Sequence, residues 1–125
     1  LDGDGTERLV TAIEHPDVDI IGHPTGRLLN QRPGHDIDLE QVAEAAATHG
    51  TALEINADPR RLDLRSRYVK AAIEAGATIA IDTDAHAQSA FEYMRFGVHT
   101  ARRGWAEPGD VLNCRDADGL GEFLE

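Results

Sequence analysis

From Asp17 onward the chain alternates short β-branched runs with longer alanine-rich runs of helical spacing, and it does so four times. That alternation is a β/α pattern. It predicts strands over Asp17–Gly22, Thr51–Ala57, Thr78–Asp84 and Asp110–Cys114. Helices are expected between them over Leu39–His49, Arg65–Ala75 and Ser89–Arg103, with short helices over Thr6–Glu14 and Ala117–Leu124 at the two ends. Asp38 stands where a helix wants a capping carboxylate, and Gly50 and Gly76 stand where left-handed helix ends favour glycine. Leu39, Val42, Ala43 and Ala46 recur at i, i+3, i+4 and i+7, a stripe that faces a sheet while Glu40 and Glu44 face solvent.

Period-2 alternation assigns the strand faces. Ala80, Asp82 and Asp84 share one face of the third strand and Ile79, Ile81 and Thr83 the other; in the second strand Glu54 and Asn56 lie opposite Leu53 and Ile55. Both strands thus turn an apolar face to helices and an acidic or polar face inward. Buried carboxylates are costly unless paired or bound to cations, so this face calls for metals or for arginines such as Arg27 and Arg61. The strand ends carry His23, the Glu54 to Arg61 segment, and the Asp84-Ala85-His86 triplet. Ligands gather at the carboxyl ends of parallel strands. Imidazole with carboxylate suits a divalent metal, and the i, i+2 spacing of Asp84 and His86 lets both leave a strand end on one side. A capping Asp84 and a solvated His86 form the plainer alternative. Pro24 biases His23 toward extended backbone. The thirteen residues from Pro24 to Asp36 exceed the usual βα loop of about 2 to 6 residues, an excess typical of functional loops. No phosphate-binding glycine loop, dinucleotide fingerprint or nucleophile elbow occurs.

Composition narrows the classes. The 125 residues hold 23 acidic against 12 basic side chains, a net charge of -11, with a single lysine, Lys70. Nonspecific nucleic-acid affinity comes from cations that neutralise phosphates, so any such contact is expected to be local. No apolar run approaches the roughly 18 residues of a membrane span, and the opening residues carry no leader pattern; a cytoplasmic location and no membrane partner are expected. The lone Cys114 is expected to pack as a small apolar residue.

Five separated strings occur in order: Asp19-Ile20-Ile21-Gly22-His23-Pro24-Thr25-Gly26-Arg27-Leu28-Leu29, Leu53-Glu54-Ile55-Asn56-Ala57, Arg61-Leu62-Asp63-Leu64, Thr83-Asp84-Ala85-His86 and Ala101-Arg102-Arg103-Gly104-Trp105. Together they resemble the PHP domain of family X bacterial and archaeal DNA polymerases, and the acid-rich, lysine-poor composition resembles a haloarchaeal member. The resemblance implies a distorted, TIM-like β/α barrel, of which this chain holds about four β/α units. It implies a polynuclear manganese or zinc centre that hydrolyses phosphoesters, associated in these polymerases with 3'-5' exonuclease activity and DNA-end processing in DNA repair. By the same resemblance His23, Asp84 and His86 match metal ligands. Arg27 and Arg61 are candidates to orient the phosphate, and Glu54 and Asp82 are candidates to support the ligands from behind.

The family's opening His-x-His motif and its early ligands have no counterpart in the chain, and Asn30 stands where the pattern expects glycine. Residues 1–125 are therefore expected to be the carboxyl-terminal part of a PHP domain, without its amino-terminal half or the polymerase domains. Alone, such a piece is expected to be inactive, because three ligands shared among several ions leave each ion short of the three that catalytic zinc usually has. Its partners would be DNA in the intact protein, the missing half of the domain, and a second copy pairing through an open sheet edge. Two other readings are a noncatalytic structural or DNA-docking segment and an amidohydrolase-type metallohydrolase acting on small molecules.

Overall fold

The computed structural model describes residues 5–27, 29, 37–85 and 88–124. The chain runs α1 (Thr6–Glu14), β1 (Ile20–Ile21), α2 (Leu39–His49), β2 (Ala52–Asn56), α3 (Ser66–Glu74) and β3 (Thr78–Asp82). A 3-10 segment, Gln88–Tyr93, leads into α4 (Met94–Arg103), and two 3-10 turns, Pro108–Asp110 and Leu112–Cys114, precede α5 (Ala117–Leu124). The strands form a parallel sheet in the order β1-β2-β3, with Ile20 opposite Ala52, Glu54 opposite Ala80 and Asn56 opposite Asp82. Parallel neighbours need crossovers, and α2 and α3 supply them.

Local chemistry sets the helix limits. Asp38 accepts from the Gln41 amide at 3.2 Å and Gly50 closes α2 at φ +68°. The hydroxyl of Thr6 accepts from the Asp38 amide at 2.7 Å, which ties the start of α1 to the start of α2. The predicted stripe Leu39, Val42, Ala43 and Ala46 is buried throughout. It meets Leu53, Ile55, Ile79 and Ile81 from the sheet, Val69 and Ala72 from α3 and Ala101 from α4 in the main core. The opposite sheet face is thin: Ala52, Ala80 and Leu112 form a small cluster under Phe123. Glu54, Asn56 and Asp82 share the parity of Ala52 and Ala80, so the expected division of faces holds.

Four expectations need correction. The fourth strand does not form. Val111 makes a single parallel bridge to Ile79, and the chain then coils into a 3-10 turn. The reason is a side chain that takes the place of a backbone: Asn113 accepts from the Ile81 N–H at 2.8 Å through Oδ1 and donates to the Ile81 carbonyl at 2.8 Å through Nδ2. A Glu107–Asp110 capping box bends the chain just before it. Cys114, expected to be packed, is exposed at the end of that turn. The first strand is shorter than predicted, because His15 accepts from Val18 N and holds residues 15–18 in a turn. The helix expected from Ser89 begins as a 3-10 segment and becomes α-helical only at Met94. The sheet is thus three-stranded, and no helix among the described residues is long and apolar enough to cross a membrane.

Candidate metal centre

His23 stands just past the carboxyl end of β1, the edge strand beside β2. Its N–H donates to Glu54 Oε1 at 2.9 Å, its Nδ1 lies 3.1 Å from Asn56 Nδ2 and 3.5 Å from Glu54 Oε1, and its Nε2 lies 3.5 Å from Asp84 Oδ2. The imidazole therefore lies between the Glu54 carboxylate of β2 and the Asp84 carboxylate just past β3. His23 is not extended as its place before Pro24 predicts: its φ is +46°, and its carbonyl accepts from Gly26 N at 2.9 Å in a tight turn. Asp84, at φ +49°, and Leu62, at φ +43°, are strained in the same sense. Such backbone costs about 1 to 3 kcal/mol per residue and gathers at functional sites. β3 ends at Asp82, so Asp84 reaches His23 through this left-handed step and not through strand alternation. His86 lies outside the described residues.

Behind His23 two carboxyls meet. The Glu54 pKa is pushed up to about 8, first by burial and then by the neighbouring Asp82 carboxyl, against the His23 amide that favours the anion. Asp82 Oδ1 is buried without a hydrogen-bond partner. Protonation of Glu54 is thus favoured at this buried place, where its anion would lie beside the Asp82 carboxyl. A group whose folded pKa exceeds its ordinary value, here near 4.5, stabilises the fold fully below that value and loses this contribution as pH rises toward about 8. With metals removed by chelator, thermal stability is expected to fall between about pH 5 and 8 in the native chain. Glu54→Gln should flatten this part of the profile; equal slopes in the two proteins would contradict a raised Glu54 pKa.

The loops around the site are latched together. Asp63 is fully buried and accepts from Thr25 N at 3.1 Å and Gly26 N at 2.8 Å. Arg27 donates through Nε to the Arg61 carbonyl at 2.7 Å and through Nη2 to the Leu62 carbonyl, while Arg61 Nη1 donates to the Arg27 carbonyl at 3.3 Å. Burial, and then the Arg65 charge, lower the Arg27 pKa. Arg60 pairs with Asp58, its Nη2 2.7 Å from Oδ2, and this hydrogen bonding holds the Asp58 carboxyl below its ordinary range. The site-side arginines are thus joined to carbonyls and to a local acid.

Of the residues singled out in the sequence, the structure brings His23 and Asp84 together, with Glu54 and Asp82 behind them. Among the described residues no group of three or more His, Cys, Asp or Glu side chains is arranged to hold a metal ion. The donor set nevertheless fits a divalent cation in kind: an imidazole, carboxylate oxygens, and a buried Asp82 oxygen with no partner. Sequence reasoning passed over Asn56 as an imidazole partner and Asp63 as the loop anchor. The only signal for Asp63 was an acid inside the apolar Leu62-Asp63-Leu64 string.

No family model matches the chain. It is 47% identical over 119 residues, 95% of its length, to the DNA polymerase/3'-5' exonuclease PolX of Bacillus subtilis (strain 168), of which it covers 21%. It is 39% identical over 87 residues to a "Probable phosphatase" of Shewanella sp. (strain ANA-3), matching 65% of this chain and 32% of that one. A "Probable phosphatase" of Thermoanaerobacter sp. (strain X514) is 36% identical over 97 residues, 73% of this chain and 36% of that one. The chain therefore spans about a fifth to about a third of these relatives. Over nearly its whole length it is a relative of the family X DNA polymerases, the group whose PHP domain its five motifs resemble.

Proposed function

We propose that the chain is a metal-dependent phosphoesterase module of the PHP type, and that in an intact PolX-type protein it takes part in 3'-5' exonucleolytic processing of DNA ends. The observation that carries this reading is the meeting of His23 with the carboxylates of Glu54 and Asp84 at the carboxyl end of a parallel sheet. The relation to a polymerase/exonuclease and to probable phosphatases supports phosphoester chemistry over small-molecule amide hydrolysis.

His23, Asp84 and His86 would hold manganese or zinc. When bound, the metal supplies Lewis acidity and a water of lowered pKa. Asn56, by meeting Nδ1, fixes the His23 ring and leaves Nε2 toward Asp84. Glu54 holds the His23 backbone and its raised pKa favours the protonated form, so a cation entering here would displace that proton and satisfy the unpartnered Asp82 oxygen. Arg27 and Arg61 would orient a phosphate through the donors that their mutual latch does not use. Ile20, 42% exposed, marks the open edge at β1 where further strands of a barrel, or a second copy, would add.

The test is manganese and zinc stoichiometry on the purified chain in high salt, beside a His23→Ala, Asp84→Ala, His86→Ala variant. Binding near one equivalent, weakened at least about tenfold in the variant, is expected for lost ligands. Weak binding equal in both proteins would leave a noncatalytic scaffold or DNA-docking piece. A Glu54→Gln control separates loss of the ligands from loss of the proton they displace.

A further inference from the structure

The cleft beside His23 has a second wall that the metal-binding residues do not use. A cavity of about 330 Å³ opens between α1 and the His23 loop, lined by Arg8, Leu9 and Ala12 from the helix and by His23 and Pro24 from the loop. Positions 5, 8, 9 and 12 that border it, from the N-cap into α1, follow the i, i+3, i+4, i+7 spacing, so Arg8, Leu9 and Ala12 lie on the side of α1 that borders the cleft. That helix is firmly placed, by Ile13 buried in the core and by the Thr6–Asp38 hydrogen bond.

Arg8 is exposed and, among the described residues, makes no ion pair or hydrogen bond. The other arginines around the site are engaged: Arg60 with Asp58, Arg27 with two carbonyls, and Arg61 with the Arg27 carbonyl. In a chain of net charge -11, a cation that faces a cleft with no carboxylate among the described residues to neutralise it is a binding group for an anion. The rest of the wall is apolar, from Leu9, Ala12 and Pro24. The volume lies in the range of small-molecule sites, about 300 to 1,000 Å³. A ligand that suits it combines a doubly accepting oxyanion for the guanidinium with a flat, weakly polar body for the apolar wall.

We infer that this cleft seats a single nucleotide unit of the strand, with Arg8 gripping its phosphate and Leu9, Ala12 and Pro24 covering its sugar and base. The inference deepens the phosphoesterase reading and rests on it. Arg8 is a phosphate-binding residue in this scheme, and the apolar wall of Leu9, Ala12 and Pro24 is what favours nucleotidyl phosphoesters over phosphate on a small or strongly polar group.

The experiment needs neither metal nor turnover. The isotope-labelled chain, in chelator and low salt, is titrated with dTMP, inorganic phosphate and thymidine while backbone amide signals are followed. Shifts at Arg8, Leu9, Ala12 and Gly26 with dTMP, and tighter binding of dTMP than of either part, are expected. Arg8→Gln should weaken dTMP about tenfold, the loss of a charge-assisted pair, without altering thymidine. Arg8→Lys should recover part of the loss, and circular dichroism checks that α1 is intact in each variant. Shifts confined to other surfaces, absence of dTMP binding, or equal affinity in Arg8→Gln would overturn the inference. The parent reading fails separately: Arg8-dependent dTMP binding in a chain that takes up no manganese or zinc would keep the cleft and remove the metal site. Metal uptake with an indifferent Arg8→Gln would do the reverse.

Discussion

Asp63→Ala is expected to lower the folding stability by about 3 kcal/mol, a loss on the scale of two hydrogen bonds to a charged acceptor. The carboxylate is fully buried and takes the amides of Thr25 and Gly26, while the backbone of Asp63 bridges Asn56. Alanine leaves two N–H groups without an acceptor, and the Thr25 amide is buried where water does not reach it. Removal of a buried charge returns part of the desolvation cost; the orphaned donors outweigh this because both sit in one tight turn. Asp63→Asn should fall between, since an amide keeps one acceptor oxygen and turns its NH2 against the same donors. Chemical denaturation in high salt measures the loss, and hydrogen exchange at Thr25 and Gly26 locates it. A loss below about 1 kcal/mol, within the range of one ordinary hydrogen bond, would show that the loop is held mainly by the Arg27–Arg61 latch. The functional link is direct, because the turn that Asp63 clamps begins at His23.

Gly104→Ala should cost about 2 to 3 kcal/mol, at the upper end of ordinary overpacking. A Cβ there would lie 2.7 Å from Val69 Cβ and 2.8 Å from the Ser66 carbonyl. Neither atom can step aside: Val69 is fully buried in the core, and Ser66 is the first residue of α3. Close approach of α3 and α4 is what this glycine permits. Gly97→Ala is a weaker case with the same sign. Its Cβ would lie 2.6 Å from Ile81 Cγ2 and 2.9 Å from Ala57 Cβ. However, Gly97 is inside α4, where alanine recovers about 1 kcal/mol of helix propensity. Gly109→Ala, with nothing within 4 Å, serves as the control and should change stability by less than about 0.5 kcal/mol. Thermal melts that rank the three variants in any other order would refute the packing argument.

The limits of α1, α2 and α5 agree with the residues that hydrophobic spacing and caps predict, Thr6–Glu14, Leu39–His49 and Ala117–Leu124. Helix formation is decided within a few residues, so Asp38 and Gly50 are readable without any partner. The same holds for the face assignment of β2 and β3, which follows from pleat alone. Val111-Leu112-Asn113-Cys114 reads as a strand by composition, yet strand formation needs a partner's backbone, and the partner edge at Ile81 is already met by the Asn113 amide. No local pattern distinguishes those two outcomes.

The site divides in the same way. Sequence alone determined which chemical groups this protein carries and at which strand ends: His23, Glu54, Asp82 and Asp84, with His86 beyond the described residues. It also marked the relation to the family X polymerases, since ordered motifs survive as strings. Tertiary structure decided how those groups act on one another. The left-handed turns at His23 and Asp84 bring imidazole and carboxylate to 3.5 Å. Pairing of β2 with β3 sets Glu54 near Asp82, which together with burial raises the Glu54 pKa. Folding of the Arg61 loop onto residues 25–27 turns Arg27 from a free cation into a loop latch, and the packing of α1 on α2 carries Arg8 to the cleft. Each of these depends on groups far apart in the chain, whose distance and dielectric surroundings exist only after the chain has closed on itself.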